Sequence, residues 1–153
     1  MGMTLMQALS VVESSGNTLA MRYEPSLDKN PPRWLLSGLG GLKEGNPGLS
    51  LDAELKILST SFGQYQILGG NLYGPYVNYR GPIADFLFDE NLQTYWSLIF
   101  IQKIAGGHGL TATTELANIS DEVLQAFSAS WNGPGSPIRY AARLREADKV
   151  SAA

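Results

Sequence analysis

The sequence predicts a mainly helical protein with at most a small β-sheet. Apolar side chains recur at helical spacing in two long segments, Leu5–Val12 and Leu92–Ile104. Residues that cap or stop helices stand at the ends of such segments, as Thr4 and Gly16 do at the first. No internal repeat and no linker interrupts the chain. We therefore expect residues 1–153 to form a single domain, which is long enough to bury a core.

The first half of the chain predicts two helices around a long irregular segment. Thr4 and Gln7 have the spacing of a capping box, so the first helix is predicted from Leu5 to about Ser14. A short extended segment follows at 19–25 and is closed by a proline. Residues 26–50 are rich in glycine and proline, which predicts an irregular excursion that folds back onto the body. The next helix is predicted through Leu58, with Ser50 or Asp52 as its cap.

The second half predicts helices that begin at prolines or at capping side chains. In chain order they are a short helix at Pro82–Phe88, a long one capped by Asp89 and stopped by Gly106 and Gly107, a single turn within Thr114–Ile119, one capped by Ser120 that breaks at 132–135, and a last one from Pro137 to about Asp148.

Composition excludes several classes of function. The chain has a net charge of −3, a pI of about 5.1 and no basic stripe, so nucleic acid is not an expected partner. Without cysteine there are no disulfides, thiol nucleophiles or zinc–thiolate sites. His108 is the only histidine, and we predict it to be a solvent-exposed loop residue. We therefore expect neither a metal nor a cofactor.

No apolar run reaches the eighteen or so residues that a membrane span requires. The first residues lack the basic region, apolar stretch and cleavage site of a signal peptide. We therefore expect a protein without a signal peptide. The oligomeric state does not follow from the sequence.

Glu13 is the first candidate for chemistry. It stands near the end of an apolar helical run and is followed by Ser14 and Ser15, where a helix leaves the core and opens into a loop. A partly buried carboxyl group in such a place can stay protonated near neutral pH and protonate a leaving oxygen. The alternative is an ordinary solvated residue in a last helical turn.

Three segments in order carry a family resemblance: Val12–Asn17 with Arg22–Pro25 after it, Ser59–Gly69, and Phe127–Gly135. Together they resemble the lysozyme-like superfamily of peptidoglycan-cleaving enzymes. The chain is most similar to the phage-type N-acetylmuramidases and, more distantly, to the soluble lytic transglycosylases. The resemblance covers about residues 5–144 and implies a lysozyme-like fold, with any small sheet beside an active-site cleft.

The resemblance implies a role for several residues. Glu13 matches the family's catalytic acid, and Ser61 matches a serine that contacts that acid or the N-acetyl group of the sugar. Gly63 and Gln66 match a strip that lines the cleft. Asn132 matches the asparagine of a Tyr-Asn-Gly segment, in which Trp131 here replaces the tyrosine. Glu24 matches a carboxylate of the muramidases' Arg-Phe-Glu-Pro segment, and a salt bridge with Arg22 is the structural alternative.

Other acidic residues are weighed as a second carboxylate, because most glycosidases use two. Asp28, Asp52, Glu54 and Asp85 are each interpreted as surface charges or helix caps rather than catalytic groups. Leu58 stands where the muramidases often carry a glutamate, which favours a mechanism with one carboxylate. In the lytic transglycosylases a single glutamate acts as acid and then as base, while the muramyl C6 hydroxyl attacks.

Tyrosines lie among glycines and prolines at 65–79, and aromatic rings stack on the apolar faces of sugars. We predict Tyr65 and Tyr73 to contact the glycan.

The sequence as a whole predicts a peptidoglycan muramidase or lytic transglycosylase that cleaves the β-1,4 bond between N-acetylmuramic acid and N-acetylglucosamine. Its partner would be peptidoglycan glycan strands. A phage lysin, a virion-borne enzyme and a bacterial wall-remodelling enzyme all fit the resemblance. The missing signal peptide suits the first two, so the resemblance implies a protein present in a host cytoplasm and then at the cell wall, or associated with a virion. The alternative is a catalytically silent glycan-binding or structural component of a virion or secretion machine, which the negative net charge favours, since the wall is anionic.

Overall fold

The structure is a computed structural model that describes residues 2–152, and the side chains of residues 2–150. It is 60% helical with one small antiparallel sheet, which confirms the predicted fold class. The chain divides into two compact units, which we call the first unit (residues 1–15 and 101–153) and the second unit (residues 16–100). The single domain stays a prediction.

The helices of the described residues are, in chain order, α1 (Leu5–Ser14), α2 (Pro25–Lys29), α3 (Arg33–Leu36), α4 (Leu39–Gly45), α5 (Leu51–Leu58), α6 (Gly69–Leu72), α7 (Ile83–Phe88), α8 (Glu90–Gly106), α9 (Asp121–Asn132) and α10 (Pro137–Ala152). A 3-10 turn occupies Leu116–Asn118. The strands are β1 (Met21–Tyr23), β2 (Thr60–Phe62) and β3 (Ile67–Leu68). Within residues 2–152, every helix is too short or too polar to span a lipid bilayer.

The start of α1 satisfies its backbone amides with both local and distant acceptors. The predicted capping box is confirmed, because Thr4 Oγ1 accepts from the amide of Gln7 and the Gln7 side chain accepts from the amide of Thr4. The amides of Leu5 and Met6 donate to the carbonyls of Thr114 and Ala112, at 2.8 and 2.9 Å. These bonds fix the beginning of α1 within the first unit.

Helices α1, α9 and α10 pack together in the first unit. The serine cap predicted for α9 is confirmed, since Ser120 Oγ accepts from the amide of Val123 at 3.2 Å. Gly133 ends α9 with φ of 92°, a conformation that residues with side chains rarely adopt. Helix α10 begins at Pro137 as predicted and extends beyond Asp148 to Ala152.

The excursion predicted at residues 26–50 is not irregular, and this prediction was wrong. Three short helices, α2, α3 and α4, occupy most of it. Helices of four to seven residues are unstable alone, so packing rather than intrinsic propensity must stabilise them. Leu35 of α3 and Leu42 of α4 are completely buried, which supplies that packing for these two helices, whereas α2 has no buried residue. The following cap was predicted correctly, since Ser50 caps α5.

The sheet of the second unit has the order β1-β2-β3 with both pairs antiparallel. A turn joins β2 to β3, with Gly63 at φ 83° and Gln66 at φ 53°. The completely buried Gln93 side chain of α8 supports this turn, because its Oε1 accepts from the amide of Gln64 at 2.9 Å. A Cβ on Gly63 would lie 2.5 Å from the Gln93 side chain, so only glycine fits there.

Two tyrosines form the aromatic part of the core in the second unit. The rings of Tyr73 and Tyr79 are 5.4 Å apart, and Tyr79 also packs against Phe86 and Trp96. The Tyr73 hydroxyl donates to the carbonyl of Gly81 at 2.7 Å, and the Tyr79 hydroxyl donates to the carbonyl of Pro82. Burial raises the pKa of both hydroxyls above the usual 10, that of Tyr79 to about 12.

We expect stability to fall as the pH rises from 10 to about 12. In the unfolded chain these tyrosines ionise near pH 10, whereas in the folded protein they keep their protons, so alkali favours unfolding. Each such hydroxyl can lower the free energy of unfolding by up to about 1.4 kcal/mol per pH unit. Urea unfolding at pH 9, 10 and 11 measures the free energy of unfolding, and Tyr79→Phe should weaken its dependence on pH. A constant free energy over that range would contradict it.

Candidate functional site

Glu13 lies in the last turn of α1 and is half-buried. Ser15 follows in the left-handed conformation, with φ of 55°, and closes the helix. Two side chains of the first unit hold the Glu13 carboxyl group, and both donate to the same oxygen, Oε2. The indole Nε1 of Trp131 donates at 3.3 Å, and the hydroxyl of Tyr140 donates as well. The carboxyl group is therefore oriented by two donors, not free in solvent.

Tyr140 comes from the first turn of α10 and is 2% exposed. Burial raises the pKa of its hydroxyl well above the usual 10, and the neighbouring Glu13 carboxylate raises it further. The hydroxyl therefore keeps its proton at neutral pH and stays a donor to Glu13. Tyr140 belongs to none of the motifs in the sequence. Its only signal is its position one helical turn from Pro137, on the face where Ala141 and Leu144 are also buried.

Trp131 lies on the last turn of α9, where its ring stacks on Phe127 with centroids 5.9 Å apart and planes 17° from parallel. This stacking fixes the indole so that its N–H reaches Glu13. The next residue, Asn132, ends α9 and is exposed. The structure thus places three of the residues named by the resemblance, Glu13, Trp131 and Asn132, in the first unit.

The remaining predicted site residues lie in the second unit, around its sheet. Ser61 is the middle residue of β2 and pairs with Arg22 on one side and Leu68 on the other. The side-chain Nε2 of Gln66 donates to the carbonyls of Gly63, at 3.0 Å, and Ala20, at 3.2 Å. Gln66 therefore ties the β2–β3 turn to the residue before β1, which is a structural role that sequence reasoning did not anticipate.

Two tyrosines predicted to stack on sugar are buried. Tyr73 is 0% exposed and bonds to Asn46 and Gly81, so its ring offers no surface to a ligand, and the prediction for it was wrong. Tyr65 is 7% exposed, so at most an edge of its ring reaches solvent. Stacking on a sugar needs an open ring face, which neither residue presents.

Four of the five candidate second carboxylates, all but Asp85, are paired with cations or hydroxyls. Glu24 accepts from Arg22 Nε at 3.0 Å, which is the salt bridge weighed as its structural alternative. Asp52 is an exposed partner of Lys56, four residues on, and Asp28 accepts from the Tyr23 hydroxyl. Asp85 lies exposed in the first turn of α7.

Glu54 departs from the surface role predicted for it. It is 2% exposed, and both of its carboxylate oxygens accept from Lys43 Nζ, at 2.8 and 3.0 Å. This pair ties α5 to α4, so Glu54 is a buried structural residue.

His108 differs from the solvent-exposed residue that was predicted. Its Nε2 lies 2.8 Å from Ser130 Oγ, and its ring packs edge-on against Phe127. The histidine therefore joins the loop after α8 to the last turn of α9. Among the described residues, no three histidine, aspartate or glutamate side chains lie close enough to hold a metal ion.

Comparison with known proteins adds an independent observation. The endolysin of Enterobacteria phage PRD1 is 31% identical to this chain over 139 residues, which are 87% of this chain and 88% of that protein. The chain belongs to the family of this phage endolysin. Neither a protein-family model nor a solved structure matches it.

The match to the phage endolysin covers nearly all of both chains, so it includes both units. The similarity to the phage endolysin is therefore not confined to the segment around Glu13. It agrees with the expectation of a phage lysin drawn from the three sequence segments.

Proposed function

We propose that this endolysin-family protein is a lysozyme-like glycosidase that degrades peptidoglycan by cleaving the β-1,4 bond between N-acetylmuramic acid and N-acetylglucosamine. Glu13 is its general acid. The observation that carries the proposal is the half-buried Glu13 carboxyl group at the end of α1, oriented by the indole of Trp131 and the hydroxyl of Tyr140. The relationship to a phage endolysin supports the cell wall as its target.

The two donors to Glu13 also indicate which of its two carboxyl oxygens would bear the proton. In a carboxylic acid the oxygen without the proton is the better hydrogen-bond acceptor, and both Trp131 and Tyr140 donate to Oε2. In the protonated acid that this mechanism requires, the proton therefore lies on Oε1. This proton passes to the bridging oxygen of the glycan as the bond from that oxygen to the muramyl C1 breaks, leaving an oxocarbenium-like centre at C1.

The second step of the reaction can follow either of two routes that need only one carboxylate. Either a water or the C6 hydroxyl of the same muramyl residue attacks C1, and the Glu13 carboxylate takes the proton that the attacking oxygen loses. The pairing of Glu24, Asp52 and Glu54 with basic residues favours the C6 route, which needs no second carboxylate. We propose that Ser61, Gln66 and Asn132 help to position the glycan, with Gln66 acting through the turn that it holds.

Incubation of purified cell walls with the protein, followed by mass spectrometry of the soluble fragments, tests this proposal. Fragments with an intact reducing end indicate hydrolysis, and fragments lighter by one water indicate the C6 route. Binding to walls without release of any fragment would overturn the proposal. That result would favour the catalytically silent glycan-binding protein.

Removing either donor to Glu13 should slow catalysis without weakening substrate binding. A hydrogen bond to a charged group contributes about 1.5–3 kcal/mol, so Trp131→Phe and Tyr140→Phe should each lower kcat about ten- to a hundredfold. We expect KM to change little, because neither donor is proposed to bind the sugar. Rates of fragment release over a range of wall concentrations separate the two parameters.

A combination of variants distinguishes orientation of Glu13 from a general loss of structure. In protein that already carries Glu13→Gln, adding Trp131→Phe should cause no further loss of the residual activity, because there is no acid left to orient. A further loss of similar size to that in the wild type would show that Trp131 acts elsewhere.

A further inference from the structure

A small pocket in the second unit lies between two exposed aromatic side chains, Trp34 and Tyr76. Its volume is about 270 Å³, and Ser37 and Asn71 line it as well. Small-molecule sites are typically about 300–1,000 Å³, so this pocket suits a single ring better than an extended ligand. None of the residues proposed for catalysis lines it.

The packing of α3 on α6 explains why Trp34 faces outward. Leu35 is completely buried, and a Cβ on Gly70 would lie 2.4 Å from Leu35 Cδ1, so the leucine occupies the space that a side chain at 70 would need. Trp34 is the neighbouring residue on a helix and points away from that contact, with 52% of its surface exposed. The glycine and the leucine therefore present the tryptophan to solvent.

The other wall of the pocket comes from the turn after α6. Gly74 approaches Gly70 so closely that a Cβ at 74 would lie 2.7 Å from the Gly70 carbonyl oxygen. Two residues later Tyr76 is 63% exposed, whereas Tyr73 and Tyr79 on either side of it are buried. Tyr76 thus has a solvent-exposed ring. It is not one of the two tyrosines, Tyr65 and Tyr73, that the sequence predicted to contact the glycan.

The lining of the pocket indicates the chemistry of its ligand. It contains no charged side chain, so neither an anion nor a cation would find a partner there. Ser37 Oγ donates to the Trp34 carbonyl at 2.6 Å and keeps its lone pairs as acceptors. Within the described residues the amide side chain of Asn71 makes no hydrogen bond, so it can both donate and accept. The ligand that fits has apolar faces and an uncharged polar edge.

We propose that this pocket is a glycan-binding subsite that holds one N-acetylated pyranose ring of the wall. The apolar C–H face of such a ring packs on Trp34 or Tyr76, and its hydroxyl and acetamido groups bond to Asn71 and Ser37. The inference rests on the proposed function for the class of ligand, but not on the role of Glu13. The pocket supplies the aromatic contacts that the buried Tyr65 and Tyr73 do not provide.

The test uses full-length protein with Glu13→Gln, so that the sugar is not consumed, and a tetramer of N-acetylglucosamine as the probe. In nuclear magnetic resonance titrations, the indole N–H signal of Trp34 and the side-chain amide signals of Asn71 should move as sugar is added. Trp34→Ala and Tyr76→Ala should each weaken association by about two- to tenfold, measured at the side-chain amide signals of Asn71. Phe88→Ala is the matched control, because Phe88 is 70% exposed and does not line this pocket.

The outcomes separate this inference from the proposed function. If wild-type protein releases wall fragments but the Asn71 and Trp34 signals do not move at saturating sugar, the subsite is wrong and the enzyme assignment stands. If those signals move and wild-type protein releases nothing, the subsite stands and the enzyme assignment fails. Movement of the signals with an uncharged apolar peptide, and not with the sugar, would also overturn the subsite. Trp34→Phe should retain most of the affinity, which distinguishes loss of an aromatic face from misfolding.

Discussion

Replacing Glu13 by glutamine is expected to abolish wall clearing, with a rate at least about a thousandfold below that of the wild type. A general acid contributes about 10²–10⁴-fold to a reaction of this kind, and Glu13 is the carboxyl group to which Trp131 and Tyr140 donate. Glutamine keeps the size of the side chain and an oxygen that can accept from both donors. It has no acidic proton for the leaving oxygen.

Loss of turbidity in a suspension of purified walls measures this effect, and the thermal unfolding midpoint shows whether the variant is folded. Asp52→Asn is the matched control, because it also removes one carboxylate but does so on an exposed side chain of α5 that pairs only with Lys56. We expect it to clear walls at the wild-type rate. Clearing by Glu13→Gln at a rate close to that of wild type would show that Glu13 is not the acid.

Gly69→Ala is expected to lower the free energy of unfolding by about 3 kcal/mol. A Cβ at position 69 would lie 2.1 Å from the carbonyl oxygen of Ile57 and 2.9 Å from its carbonyl carbon. Because these are backbone atoms, no side chain can turn aside, and α5 and α6 must separate instead. Overpacking of this kind costs about 1–3 kcal/mol or more, and contact with backbone places it at the upper end.

Urea unfolding of the wild type and the variant measures this difference. Gly40→Ala provides the control, since Gly40 lies inside α4 and an added Cβ there would meet no atom within 4 Å. Alanine is the better helix former, so this substitution should stabilise the protein by about 0.5–1 kcal/mol. Equal effects of the two substitutions would contradict the role assigned to Gly69.

Helix starts were predictable where a capping side chain acts on its own backbone. Thr4 with Gln7, Ser50 and Ser120 each make the cap that their spacing predicted. Such bonds join residues two or three apart in sequence, so they form wherever the helix forms. The short helices at 25–45 escaped prediction because none of them has such a cap, and α3 and α4 depend on buried leucines.

The candidate site was only partly predictable from the sequence, because it too depends on contacts between residues far apart along the chain. Glu13 could be named from the end of an apolar helix and from the resemblance, and Trp131 from the resemblance, but the hydrogen bonds that Trp131 and Tyr140 donate to Glu13 could not be predicted. Trp131 and Tyr140 lie 118 and 127 residues away along the chain. The tyrosines at 65–79 share a composition that favours sugar binding, yet Tyr65 and Tyr73 are buried while Tyr76 is exposed.

The sequence by itself determined a mainly helical chain without cysteine, the caps that begin its helices, and an acidic residue at the end of the first one. Only the tertiary structure decided which side chains donate to that acid, and which aromatic rings are open to a ligand. Local patterns report bonds between near neighbours, whereas burial and side-chain contacts depend on segments far apart in sequence. Gly70 illustrates this, since its missing side chain makes room for Leu35 and thereby leaves Trp34 exposed.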